Sequence, residues 1–136
     1  MAFKYYSQIA KQDIPSMNVE NVKAYLRDFS LSDDKEKPMT SGLFRLKAGE
    51  SLKYTYTYHE MKFIVEGSFT IEDETGQKVE AKPGDLFYFP KGTAVTFTTS
   101  DFGLGFNWHF YSPFLYFMLH LHHVVHKRNL NQNLML

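Results

Sequence analysis

The chain has 136 residues, which is room for one domain with a core of ordinary thickness and none for a second. Its 15 Lys and Arg balance 15 Asp and Glu, so no whole-molecule field draws it toward nucleic acid, an anionic membrane or an acidic substrate, and binding is left to a local site. There is no cysteine, which excludes disulfides, thiolate zinc sites and cysteine nucleophiles together.

The first segment, MAFKYYSQIAKQDIP, lacks the apolar stretch of a secretory signal. No apolar run approaches the ~20 residues that cross a bilayer. A soluble cytoplasmic protein is the expectation. Residues 1–40 read as a lead-in. Within them Val19, Val22, Leu26 and Phe29 recur at helical spacing behind a possible cap at Asn18, which predicts one helix. The stretch from Ser30 to Thr40, with Asp33, Asp34, Lys35, Glu36, Lys37 and Pro38, is too polar to pack and predicts a surface loop.

From Ser41 to Phe106 short apolar runs alternate with turn residues. The runs are Leu43–Leu46, Leu52–His59, Phe63–Val65, Phe69–Ile71, Leu86–Phe89 and Val95–Thr98; the turns carry Gly49, Gly67, Gly76, Gly84 and Gly92. Aromatic residues make up 17% of the chain, with 13 Phe and 9 Tyr, and they fall largely in these runs. The pattern is that of an all-β barrel or sandwich.

The spacing of the turn residues is the most specific signal. Gly84 and Asp85 lead into Leu86-Phe87-Tyr88-Phe89 and then Pro90-Lys91-Gly92, which is similar to the second motif of cupins up to its metal ligand. Gly49, Glu60 and Gly67 fit the first cupin motif if one residue is dropped after the first glycine. In that frame Tyr54 and Tyr56 stand at the two histidine positions, Val95 stands at the histidine of the second motif, and Thr99 stands at its asparagine. Only Glu60 keeps a ligand position. Valine has no lone pair, and a first-row metal needs converging imidazoles and carboxylate, so neither a metal nor another cofactor is expected.

The run from Tyr54 to Glu60, Ile64-Val65-Glu66-Gly67, Ala81-Lys82-Pro83-Gly84-Asp85 and Phe89-Pro90-Lys91-Gly92 together resemble the ethanolamine-utilisation cupins, the EutQ-like branch, and their small fungal relatives. The resemblance spans about residues 39–106. It implies a single cupin (RmlC-like jelly-roll) β-barrel of six or more strands over residues 41–106, flanked by the lead-in and by an atypical tail at residues 107–136. It also implies a homodimer. Bacterial members of the branch are linked to microcompartment assembly and to acetate kinase activity, and the fungal ones have no assigned reaction.

In an unbroken strand Tyr54, Tyr56 and Tyr58 share one face, and the match to ligand positions turns that face inward. These rings, with Val95 and Phe97, are the candidate walls of a pocket for a small molecule; filling of the barrel is the plainer alternative. Glu60 and Lys62 share parity on the next strand and are the candidate acid and base, or else a structural ion pair. His59 falls on the opposite parity, at the surface or an interface. The expected function is binding of a small organic molecule, with any catalysis being proton transfer, isomerisation or hydrolysis. The alternatives are a dimeric assembly module and a metal-dependent cupin enzyme in which His59 and tyrosine hydroxyls join Glu60.

The tail contains no Asp or Glu and carries five of the six His. It is expected to fall outside the family fold, as a segment translated from a different reading such as a retained intron would. His120, His122, His123 and His126 include an i, i+4 pair that could clasp a metal on a helix. With no acidic residue to support it, a native site there is not the expectation.

Overall fold

The computed structural model describes residues 1–112. Nine strands follow a single 3-10 turn at Ile9–Lys11: β1 (Ala24–Leu31), β2 (Met39–Lys47), β3 (Leu52–Thr55), β4 (Glu60–Gly67), β5 (Phe69–Asp73), β6 (Lys78–Ala81), β7 (Leu86–Phe89), β8 (Ala94–Thr98) and β9 (Phe102–Phe110). They form a five-stranded sheet in the order β1-β2-β9-β4-β7 and a four-stranded sheet in the order β3-β8-β5-β6, with every pair antiparallel. The all-β jelly roll expected from the sequence is present as two facing sheets; their edge strands do not join into a closed cylinder.

Period-two alternation builds the core. Phe44 and Leu46 of β2, Ile64 of β4, Phe69 and Ile71 of β5, and Val95 and Phe97 of β8 all point between the sheets and are buried together with Leu52, Tyr56, Ala81 and Phe89. Aromatic rings interlock there, with Phe44 stacked on Phe69 at 5.7 Å and tilted on Phe97 at 5.4 Å. Residues of the opposite parity, Leu43 and Leu104, form a second small cluster with Ile14, supported by Ile9, Tyr25, Phe29 and Phe106. The N-terminal segment therefore packs on the outer face of the larger sheet.

Gly67 and Gly103 are among the glycines required by close approach. Gly67 adopts φ +70°, and a Cβ there would stand 2.2 Å from the Phe102 carbonyl oxygen. At Gly103 a Cβ would meet the Phe69 ring at 2.5 Å, so β9 gives up a side chain for that ring to lie across it.

The helix expected behind Asn18 is absent. Asn18 and Asn21 adopt left-handed φ of 56° and 60°, and the chain turns back on itself. Met17 N–H donates to the Ala24 carbonyl, Leu26 N–H to that of Pro15, and Ser16 bridges Tyr25. The apolar residues at helical spacing are no buried stripe, since Val19 is 41% exposed and Leu26 36%.

The sheets also reach beyond residues 41–106 at both ends. β1 lies in the sequence-derived lead-in, yet it pairs along β2 from Ala24↔Leu46 to Leu31↔Thr40. β9 continues through Asn107, Trp108, His109 and Phe110, pairing Phe110 with Met39 and His109 with both Thr40 and Glu60. The loop after β1 is correspondingly shorter, residues 32–38. The His120 to His126 tract lies outside the described residues.

Candidate functional site

β3 ends at Thr55, so the run from Leu52 to His59 is not one unbroken strand. Tyr56 keeps its place through backbone bonds to Thr93 and Gly92, and the chain then bends at Thr57 and Tyr58 before β4. The three tyrosines still converge. Tyr56 is 3% exposed and stacks on Phe89 at 4.8 Å, while Tyr54 and Tyr58 meet it edge-on at 4.9 and 5.9 Å. The hydroxyls of Tyr54 and Tyr58, both half-buried, lie 3.0 Å apart and share a hydrogen bond.

Glu60 and Lys62 are successive inward residues of β4, 4% and 3% exposed. Lys62 Nζ stands 3.0 Å from Glu60 Oε1, and the Tyr56 hydroxyl donates to the same oxygen at 2.9 Å. The Lys62 stem lies across Gly105, where a Cβ would come within 3.1 Å of Lys62 Cγ and Cδ. Its ammonium lies over the faces of Phe44 at 4.8 Å and Phe97 at 5.9 Å. The desolvated cation is thus held by a carboxylate and two aromatic quadrupoles. Burial, and then the Glu60 carboxylate, push the Tyr56 hydroxyl well above its ordinary pKa; burial and the Tyr54 bond do the same for Tyr58. Both remain O–H donors at physiological pH.

These residues enclose a cavity of about 30 Å³, lined by Tyr54, Tyr56, Tyr58, Glu60, Lys62 and Phe97 and bordered by Met17 and Leu26 from the N-terminal hairpin. Its volume is that of one or two waters. Val95, grouped with these walls in the sequence, is buried but lines a different cleft of about 360 Å³ with Ile71, Phe87, Phe89 and Glu74. His59 is exposed, and its Nδ1 is used by the Tyr88 hydroxyl at 3.0 Å and by the Lys91 N–H at 3.1 Å. It does not join Glu60.

A further residue of the cluster went unseen in the sequence. His109, on β9 directly across from Glu60, is 5% exposed and presents Nδ1 to Glu60 Oε2 at 3.7 Å. Its ring stacks on Tyr58 at 4.1 Å and meets Tyr111 edge-on at 4.7 Å. Tyr111 in turn donates to Asp28 Oδ2 at 3.2 Å. Asn107, the preceding inward residue, is 1% exposed. The inward alternation of Asn107 and His109 between Trp108 and Phe110 was the available signal.

A cupin-type metal does not fit this donor set. Tyr54, Tyr56 and Val95 stand where imidazoles would be needed. The Lys62 ammonium already occupies the cation position beside Glu60, so a divalent ion would meet it as a like charge. Among the described residues no three His, Asp or Glu side chains are grouped to hold a metal. No helix among them is long and apolar enough to cross a membrane.

Two facing antiparallel sheets around an inward polar cluster are the architecture of a cupin jelly roll, and solved structures similar to this chain have that fold. The EutQ protein of Clostridium difficile superposes with a TM-score of 0.66 at 19% identity, covering 77% of this chain and 78% of that one. The polyketide cyclase RemF of Streptomyces resistomycificus superposes at 0.65 with 14% identity, covering 81% and 80%. The chain belongs to the EutQ-like cupin domain family, whose pattern matches residues 34–104. Acetate kinase EutQ of Clostridioides difficile (strain 630) is 30% identical over 61 residues, which are 45% of this chain and 38% of that protein. The match thus spans well under half the length of that relative.

Proposed function

We propose that this protein is a small-molecule-binding cupin whose ligand is uncharged and donates a hydrogen bond to Glu60. The observation that carries the reading is the state of the Glu60 carboxylate. Oε1 is taken by Tyr56 and Lys62, whereas Oε2 accepts no hydrogen bond from any described residue. Lys62 already neutralises the site, so a ligand of either charge would be desolvated without a counter-ion. A hydroxyl or amide N–H meets the open acceptor without that penalty. The cavity admits a group of two or three heavy atoms, and the remainder of a ligand would lie against Tyr54, Tyr58, Met17 and Leu26. If turnover accompanies binding, Glu60 and Lys62 are the groups able to move a proton.

The test is a titration with ethylene glycol, glycerol and acetamide followed by backbone amide shifts in NMR. Shifts confined to the neighbours of Glu60, lost in the Glu60→Gln/Lys62→Met double variant, support the reading. Shifts centred on Phe87 and Val95, or none at all, sink it.

A second reading, a dimeric assembly module, has its own observation. On the outer face, β4, β7 and the end of β9 carry an apolar patch that no described residue covers, with Phe63 40%, Leu86 60%, Tyr88 53% and Phe110 59% exposed, and Phe63 and Leu86 are direct cross-strand neighbours. Such a face suits a self-complementary contact with a second copy. The same titration separates the readings, since a pure assembly module leaves the Glu60 region unshifted by all three probes.

A further inference from the structure

His109 carries an unusual cost. It is 5% exposed, and neither Nδ1 nor Nε2 has a hydrogen-bond partner among the described residues. Buried imidazole nitrogens left in this state oppose folding. The ring is wedged between Tyr58 and Tyr111, where a phenylalanine would stack as well without that cost. Packing alone therefore does not account for an imidazole at this position.

The nearest group that could use it is the open oxygen of Glu60, 3.7 Å from Nδ1. Glu60 and His109 are directly paired across the strands, so an approach of less than 1 Å turns this contact into a hydrogen bond.

We propose that His109 is a positioning residue for Glu60: as the neutral Nδ1–H tautomer it steadies Oε2 while leaving that oxygen one lone pair for the ligand, and as the imidazolium it claims Oε2 for an ion pair. The inference rests on the proposed ligand site and adds to it a control on ligand binding. The charged and titratable groups facing the ring are Glu60 and Lys62 from β4, Asp28 from β1, Tyr58 after β3 and Tyr111 after β9. Burial favours the neutral ring, with Glu60 and then Asp28 opposing it and Lys62 assisting it. At neutral pH the imidazole is uncharged and Glu60 is open. Acidification produces a charge-assisted N–H bond to Oε2, which draws down the acceptor the ligand uses.

Two measurements decide the matter. The first needs no ligand: imidazole nitrogen NMR of the intact protein across pH. The expected result is a neutral His109 protonated on Nδ1 at pH 7.5, with a midpoint below 6.5 that falls further in the Glu60→Gln/Lys62→Met variant, because the larger opposing charge is gone. An Nε2–H tautomer, or a midpoint unmoved in that variant, overturns the proposal.

The second is ethylene glycol binding against pH. Wild-type affinity is expected to weaken as pH falls below about 6.5. His109→Gln keeps an amide N–H near Glu60 and is expected to bind with a flat profile, whereas His109→Phe keeps the stacking alone and loses about fivefold in affinity, the worth of one hydrogen bond. Wild-type affinity for the phenylalanine variant would refute the role. If ethylene glycol fails to bind wild type at all, the ligand-site reading falls, and the NMR titration still decides whether His109 and Glu60 are coupled.

Discussion

Removing one charge of the Glu60–Lys62 pair should cost more than removing both. The two side chains are 4% and 3% exposed and 3.0 Å apart, so neither can turn to water when its partner goes. Glu60→Gln keeps the shape and the Tyr56 contact but leaves the buried Lys62 ammonium beside a neutral amide and the Phe44 and Phe97 rings, without a counter-charge, a loss of about 3–5 kcal/mol. Lys62→Met keeps the stem across Gly105 and leaves Glu60 with one hydroxyl donor and a neutral imidazole, a loss of similar size. In the double variant no charge is stranded and the volume is nearly conserved, so stability should return to within about 1–2 kcal/mol of wild type. The resulting coupling is about 4 kcal/mol or more, well above the additive error of distant sites. Urea unfolding at pH 7, followed by the fluorescence of Trp108 and by circular dichroism, measures all four proteins. Single variants that each lose less than 1 kcal/mol, with additive effects, would refute the picture of a desolvated pair.

Stability should also respond to His109. Its pKa is depressed by burial, so below about pH 6.5 the unfolded chain takes up a proton that the folded one resists. This contribution is complete above 6.5 and is lost as pH falls toward the folded pKa, with a slope of at most about 1.4 kcal/mol per pH unit; urea melts of wild type and His109→Phe at pH 7.5, 6.5 and 5.5 should differ by that slope, and parallel curves would contradict it. Gly67→Ala places a Cβ against the Phe102 carbonyl in a left-handed residue and should cost roughly 2–4 kcal/mol; a thermal melt within 2 °C of wild type, which corresponds to about 0.5 kcal/mol at most, would show that the turn relaxes. Multi-angle light scattering at micromolar concentration should find a homodimer, and Phe63→Asp/Leu86→Asp should convert it to monomer by charging the exposed outer face; a wild-type monomer would exclude that use of the surface.

What could be read from the sequence was the part governed by local stereochemistry. Gly49, Gly67, Gly76, Gly84 and Gly92 all adopt positive φ, and a residue without a Cβ announces such turns directly. Glu60 and Lys62 could be placed side by side because strand parity has period two. Elsewhere local signals misled. The spacing of Val19, Val22, Leu26 and Phe29 satisfies a helix, yet left-handed Asn18 and Asn21 and the backbone bonds of the hairpin decide the outcome. β6, Lys78–Ala81, is an edge strand with one buried residue and so carries little alternation. β9 shows no continuous apolar run in the sequence, because Gly103 and Gly105 interrupt it. Their reasons are long-range, a seat for the Phe69 ring and a groove for the Lys62 stem. With the barrel bounded at residue 106, His109 fell into the tail.

The substitutions at the cupin ligand positions form a consistent set. With Tyr54, Tyr56 and Val95 in place of imidazoles, Glu60 would be a buried carboxylate without a cation, at a cost of several kcal/mol. Lys62 supplies the charge from two residues along the same strand, and Gly105 on the neighbouring strand leaves room for its stem. The two changes depend on each other, since the ammonium repels a divalent ion and the absence of imidazoles removes the need for one. An ammonium differs from a metal in having no vacant coordination position, so it neutralises Glu60 without offering a ligand anywhere to bind. Recognition then passes to the groups that still have hydrogen-bonding capacity, namely Glu60 Oε2, His109 and the Tyr54–Tyr58 hydroxyl pair. On the proposed reading such a site would select ligands by size, by the placement of their donors and against net charge, and this is why the test probes are neutral polyols and an amide.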